Sequence, residues 1–186
     1  KFCNFNATQE DARSVGLNRP VTVNLEEMIE AYKILSSEVR LIEGTIEMGA
    51  FRDRQHEARI YLDFVEKMAG GASYTPHMHI VSQPISRKNM ERLRDAGLEA
   101  VMITSEVWEP ELFTEICPAK AKYMGHEAYK EAFLEAVDVF GPGNVAGVFV
   151  GGVTLMPSNG HKTWHFSLSN SNFFLTPSCK TDVFYF

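Results

Sequence analysis

Apolar positions along this chain alternate between two periodicities. In "NLEEMIEAYKILSS", Leu25, Met28, Ile29, Tyr32 and Leu35 recur at helical spacing, and Asn24 with Glu27 reads as an N-cap and its partner. "VRLIEGTIEMGAF" follows as a strand running into a glycine-containing turn. "RQHEARIYLDFVEKMAGG" places Ala58, Tyr61, Leu62, Val65 and Met68 on one stripe and closes with Gly70 and Gly71. "YTPHMHIVS" predicts a short strand, "SRKNMERLRDAG" a helix opened by Ser86 and ended at Gly97, and "LEAVMITSE" a further strand. The helix expected from "GHEAYKEAFLEAVDVFG" buries Tyr129, Ala132, Phe133, Ala136, Val137 and Phe140, and "NVAGVFVGG" is a continuous apolar strand directly after it.

Strands apolar on both faces, alternating with amphipathic helices, predict an α/β fold of βα units around a parallel sheet. Chemistry in such folds collects at the carboxyl ends of strands. The informative positions are therefore Glu47 to Ala50, His77 to Ser82, Thr104 to Trp108 and Gly147 to Thr154. The last stretch, "HFSLSNSNFFLTPSCKTDVFYF", is rich in Ser, Asn and Phe, and no helical stripe is legible past Trp164. It reads either as an irregular or edge-strand tail, or as a point where the chain leaves its native course. The division expected is a core over residues 1–154 and a tail over 155–186.

Composition narrows the classes. At 186 residues, 45% hydrophobic and 23% charged, the chain has material for a core of ordinary size. A net charge of −6, with Lys and Arg scattered among carboxylates, speaks against a nucleic-acid partner. No apolar run has the length of a membrane span, so no membrane partner is expected. Cys3, Cys117 and Cys179 are an odd set at wide spacing, which favours a reducing cytoplasm over a disulfide framework.

"HMH" at 77 to 79 is the most distinctive side-chain pattern. Period-2 geometry puts His77 and His79 on one face and Met78 on the other. Three uses stand open: a substrate pocket, a structural role, and a metal site of the HxH kind. Cys117, in "EICPAK", reads as a packing residue between helices.

The opening "KFC" resembles the last third of the CxxxCxΦC motif of radical S-adenosylmethionine enzymes, and much of residues 1–154 is similar to the biotin synthase-like core of that superfamily. "EMGAFRDRQHEARIYLDFVEKM" looks like the family's second strand, its Met-Gly-Ala turn and the helix after it. "ISRKNMERLRDAGLEAVMITSEVWEPELF" looks like the third helix and fourth strand. "GVFVGGVT" matches the fifth-strand GxIxGxxE pattern at Gly147, Phe149 and Gly151, with Thr154 where the pattern has Glu.

The resemblance implies a partial (β/α) barrel, incomplete at both ends, whose chain starts inside the signature motif with two further cysteines just before Lys1. It implies a 4Fe–4S cluster that cleaves S-adenosylmethionine reductively, giving a 5′-deoxyadenosyl radical that acts on a small molecule. An electron donor such as ferredoxin or flavodoxin would be the partner. Thiolates suit such a cluster, and a barrel interior can keep a primary radical from water. Carried over residue by residue, Cys3 becomes a cluster ligand, or else a small buried hydrophobe. Phe2, Met48, Gly49, Ser105, Glu106, Gly147, Phe149, Gly151 and Gly152 become cofactor contacts, or else a core aromatic, turn residues, buried polar groups and a bulge. His77 and His79 become substrate contacts. The cysteines that hold biotin synthase's second cluster would fall near Glu47, His79 and Val145, and none of these is cysteine. Sulfur insertion is therefore not implied. With one motif cysteine among its residues, the isolated chain is expected to be inactive. Two alternatives stay open: an unrelated (β/α)-barrel metal enzyme using His77 and His79, and a non-catalytic βα domain that binds a small molecule.

Overall fold

A computed structural model describes residues 14–16, 24–39, 43–49, 51–69 and 77–150. The chain divides into two units, Lys1–Arg40 and Leu41–Phe186. The expected boundary at 154, the tail, and the helix-closing Gly70 and Gly71 lie outside the described residues.

In the first unit, helix α1 spans Leu25–Glu38. The Asn24 side chain accepts from the Glu26 backbone N–H at 2.9 Å, filling one of the vacancies at a helix start, and Glu26 and Glu27 complement the positive end of the helix dipole. Of the expected stripe Ile29 is buried and Leu25 and Tyr32 are half-buried, whereas Met28 and Leu35 are exposed.

The second unit alternates strand and helix: β1 (Glu43–Glu47), α2 (Arg54–Ala69), β2 (His77–Ser82), α3 (Arg87–Asp95), β3 (Ala100–Glu106), α4 (Pro110–Ile116), α5 (Pro118–Tyr123), α6 (His126–Phe140) and β4 (Val145–Phe149). All three strand pairings are parallel and the sheet order is β1-β2-β3-β4. Among the described residues the sheet is open, with β1 and β4 as its edges. Parallel crossovers are right-handed, so a strand order that always advances in one direction puts every crossover helix on the same face.

Burial follows that rule. The register aligns Ile46, Ile80, Val101 and Ile103 on one face, and all four are 8% exposed or less. Helix α6 packs on β3 and β4 behind them, and α3 contacts both α2 and α6. The opposite face carries Glu43, Thr45, Glu47, His79, Met102 and Thr104, in which polar and half-exposed positions predominate.

Helix α2 buries Ala58, Tyr61, Leu62, Val65 and Met68 as its spacing predicts, and adds Phe64 and the carboxylate Glu57. Helix α6 buries Tyr129, Ala132, Phe133, Ala136 and Phe140, but Val139 takes the place expected for Val137, which is 37% exposed. The apolar stripe on α6 is wider than one helical line, and the packed sheet selects the edge of it that holds Val139. Gly97, at φ +108, ends the turn after α3, a left-handed conformation that glycine adopts without steric cost.

Candidate functional site at the carboxyl edge of the sheet

The carboxyl ends of β1 and β2 are held by α2. Asp53 Oδ1 accepts from the Gln55 and His56 backbone N–H groups at 2.9 and 3.2 Å, starting the helix. One turn on, the Glu57 carboxylate is 3% exposed. A buried carboxylate needs donors, and it has three. The Gln83 backbone N–H reaches Oε1 at 3.3 Å, and the Gln83 side-chain amide and the Phe51 backbone N–H reach Oε2 at 3.0 and 3.3 Å. Gln83 also donates to the Phe51 carbonyl at 3.1 Å. Four residues along the same helix face, the Tyr61 hydroxyl donates to the Val81 carbonyl at 2.7 Å. Burial, with Glu57 and Glu47 nearby, pushes the Tyr61 phenol well above its ordinary pKa and keeps it a neutral donor.

The end of β3 is built differently. Glu106 has φ 66, a left-handed backbone for a residue with a side chain, and a register shift between Thr104 and Glu106 marks an irregularity against β4. The chain then makes two short helices, each with Pro in its first turn, joined at the non-helical Cys117. That folding brings Lys120 back over the strand end. Its ammonium donates to Glu106 Oε1 at 2.8 Å and to the Thr104 carbonyl at 2.6 Å, and it sits 5.8 Å from the Tyr129 ring centroid. Burial raises the Cys117 thiol pKa against the pull of Lys120, so the thiol stays protonated and inert.

Beside this pair, Trp108, His126, Phe113, Tyr129, Phe133 and Phe149 form an aromatic cluster with ring centroids 5.3 to 6.5 Å apart. The His126 Nε2–H donates to the Trp108 carbonyl.

The expected site residues distribute unevenly over this frame. Met48 is half-buried and Gly49 exposed at the end of β1. Glu106 lies at the end of β3, paired with Lys120. Ser105 is fully buried on the helix-covered face, where its hydroxyl donates to the Val107 carbonyl at 3.2 Å. Gly147 pairs with Ile103, and Phe149 belongs to the aromatic cluster. Phe2, Cys3, Gly151 and Gly152 lie outside the described residues.

"HMH" opens β2 rather than ending it, so both histidines sit at the amino edge of the sheet, away from the strand ends. His77 and His79 share a face as the period predicts, yet their surroundings differ. His77 is exposed and pairs with Glu99, and His79 is buried, with Nε2 at 2.7 Å from Thr45 Oγ1 and Nδ1 at 3.3 Å from Glu43 Oε1. Among the described residues no three His, Cys, Asp or Glu side chains converge as a metal-ligand set, and no described helix is long and apolar enough to cross a membrane.

Glu57, Gln83 and Lys120 were not singled out by sequence reasoning, and Tyr61 was read only as a position on the buried stripe. The one available signal was Glu57 on the apolar stripe of its helix, one residue before Ala58. Comparison of the chain with protein-family models, with curated proteins and with solved structures finds no match.

Proposed function

We propose that residues 1–154 are the central part of a radical S-adenosylmethionine core, a half-barrel that cleaves S-adenosylmethionine reductively at a 4Fe–4S cluster and directs the resulting radical onto a small molecule. The observation that carries this reading is the strand order. Four parallel strands advancing in one direction, with crossover helices on one face, are the arrangement that the wall of a singly wound (β/α) barrel would have. A doubly wound sheet would reverse direction. The motif "EMGAF" starts at the last residue of β1, "AVMITSE" spans β3, and Gly147 to Phe149 of "GVFVGG" close β4, which is the order the resemblance calls for.

Met48, Gly49 and Glu106 would meet the cofactor at the carboxyl edge, with Lys120 holding Glu106 in place. Gly49 supports this. Its φ is not left-handed, and a Cβ built on it meets nothing within 4 Å among the described residues. Neither backbone nor packing demands glycine there, which fits close approach by a ligand. A cluster and its electron donor, of the ferredoxin or flavodoxin kind, belong in a reducing compartment such as the cytoplasm.

The test is electron paramagnetic resonance on the protein expressed from its whole reading frame and reconstituted anaerobically with iron and sulfide. A reduced-cluster signal that shifts with S-adenosylmethionine, disappears in Cys3→Ala and loses its cofactor response in Gly49→Val is expected. A protein that holds no cluster, or keeps it unchanged in Cys3→Ala, sinks the reading.

A further inference from the structure

A hydroxyl, an imidazole and a carboxylate line up on the sheet face opposite the helices. The parallel register sets Thr45 directly beside His79, and Glu43, two residues earlier in β1, points to the same side. Thr45 Oγ1 lies 2.7 Å from His79 Nε2, and His79 Nδ1 lies 3.3 Å from Glu43 Oε1. With the ring proton on Nδ1, next to the carboxylate, Nε2 presents its lone pair to the Thr45 hydroxyl. His79 is 7% exposed, so packing fixes its ring, whereas Thr45 is exposed. Together with Met102 these three residues line an open basin of about 380 Å³.

A structural histidine needs only a partner for its polar edges. Here the order is that of an activated nucleophile: hydroxyl, base within hydrogen-bond reach, and a carboxylate 3.3 Å from the base's other nitrogen, all beside a basin that a small molecule can enter. We propose that Glu43, His79 and Thr45 form a nucleophilic relay that accepts an acyl group from an ester onto Thr45 Oγ1. As Oγ1 bonds to the carbonyl carbon, its proton passes to His79 Nε2, and the ester's alkoxide leaves with that proton as an alcohol. Water, deprotonated by the same nitrogen, then releases the acid and restores the hydroxyl. The Glu43 carboxylate, beside Nδ1, faces the charge that the imidazolium carries. The relay uses neither Cys3 nor the carboxyl edge of the sheet, so it stands or falls separately from the cluster reading.

The probe is p-nitrophenyl acetate, added to the full chain, with p-nitrophenol release followed optically and acetylated peptides mapped by mass spectrometry. A burst of one nitrophenol per chain with the acetyl group on Thr45 is expected. Thr45→Ser should keep the adduct and Thr45→Val abolish it. His79→Gln should slow acetylation on the order of 100-fold, the range of a general base. Should His79→Gln fail to fold by circular dichroism, Glu43→Gln takes its place, because Glu43 is 61% exposed at its side chain and its loss spares the core; about tenfold slower acetylation is expected there. No adduct, an acetyl group on lysines or on His79 alone, or a Thr45 adduct whose rate ignores both changes overturns the proposal.

Discussion

Two tyrosines in this core invite the same substitution with opposite results. Tyr61 and Tyr129 are both fully buried. The Tyr61 hydroxyl donates to the Val81 carbonyl at 2.7 Å, whereas the Tyr129 hydroxyl has no hydrogen-bond partner among the described residues. Replacing Tyr61 by Phe deletes a bond worth about 1 kcal/mol net and leaves a buried carbonyl short of a donor, for a total cost of about 1–2 kcal/mol. Replacing Tyr129 by Phe removes a polar atom that was stripped of water without compensation, and should stabilise the fold by about 1 kcal/mol. Ring packing against Phe113 and under Lys120 is kept in the second case. For a chain of this size each kcal/mol moves the melting midpoint by about 2–4 °C. Differential scanning calorimetry on the two variants should thus show midpoints displaced in opposite directions. A Tyr129→Phe protein that melts as low as Tyr61→Phe would refute the argument, because the hydroxyl would then have to be held by a partner of its own.

Other expectations follow from the same contacts. Burial raises both phenol pKa values above their ordinary 10.0, with Glu57 adding for Tyr61 and Glu106 for Tyr129. The folded state therefore keeps protons that the unfolded chain releases, so their contribution is complete below pH 10 and declines above it. The slope is about 1.4 kcal/mol per pH unit for each tyrosine. Urea titrations across that range should show the slope reduced in Tyr61→Phe; an unchanged slope contradicts the assignment. Lys120→Met leaves the Glu106 carboxylate and the Thr104 carbonyl without their shared donor. Lys120 and Glu106 are 17% and 23% exposed, so the cost should be about 2 kcal/mol, below that of a fully buried pair. Adding Glu106→Gln to Lys120→Met should recover part of the loss; strictly additive effects would show that the two side chains do not interact.

The four longer helices were legible because each carries its own punctuation and a stripe of apolar positions, whereas the short Pro110–Ile116 and Pro118–Tyr123 have no repeating stripe. Arg54–Ala69 and His126–Phe140 repeat the apolar line over four turns, so a single misplaced position, Val137 for Val139, changes nothing in the assignment. Strands were legible as apolar runs, but their bounds were not. "YTPHMHIVS" offers no residue that marks where pairing begins, and the pairing partner decides it. With Glu43 opposite His77, the two histidines fall at the start of β2, and the pattern that promised a strand end marks a strand beginning. Strand order likewise leaves no trace in local periodicity. It follows from the right-handedness of each crossover and from which edge of the growing sheet the next strand joins.

Polar constellations were hidden for a related reason. Glu57 and Gln83 are separated by 26 residues and Lys120 and Glu106 by 14, so neither pair has a spacing that marks it as a pair. What marks them is energetic. A carboxylate on the buried stripe of α2 must find donors, and the carboxyl end of β2 supplies them through the Gln83 backbone and side chain. A left-handed Glu106 costs about 1–3 kcal/mol, and the side chain so placed is the one that Lys120 reaches after the two proline-led turns. Thr45, His79 and Glu43 obey the same logic on the other face. Parallel pairing places Thr45 opposite His79, so one register shift would send His79 to the helix side and separate all three. The arrangement therefore depends on the pairing of β1 with β2, and any substitution that loosens that pairing should weaken the relay before it unfolds the sheet.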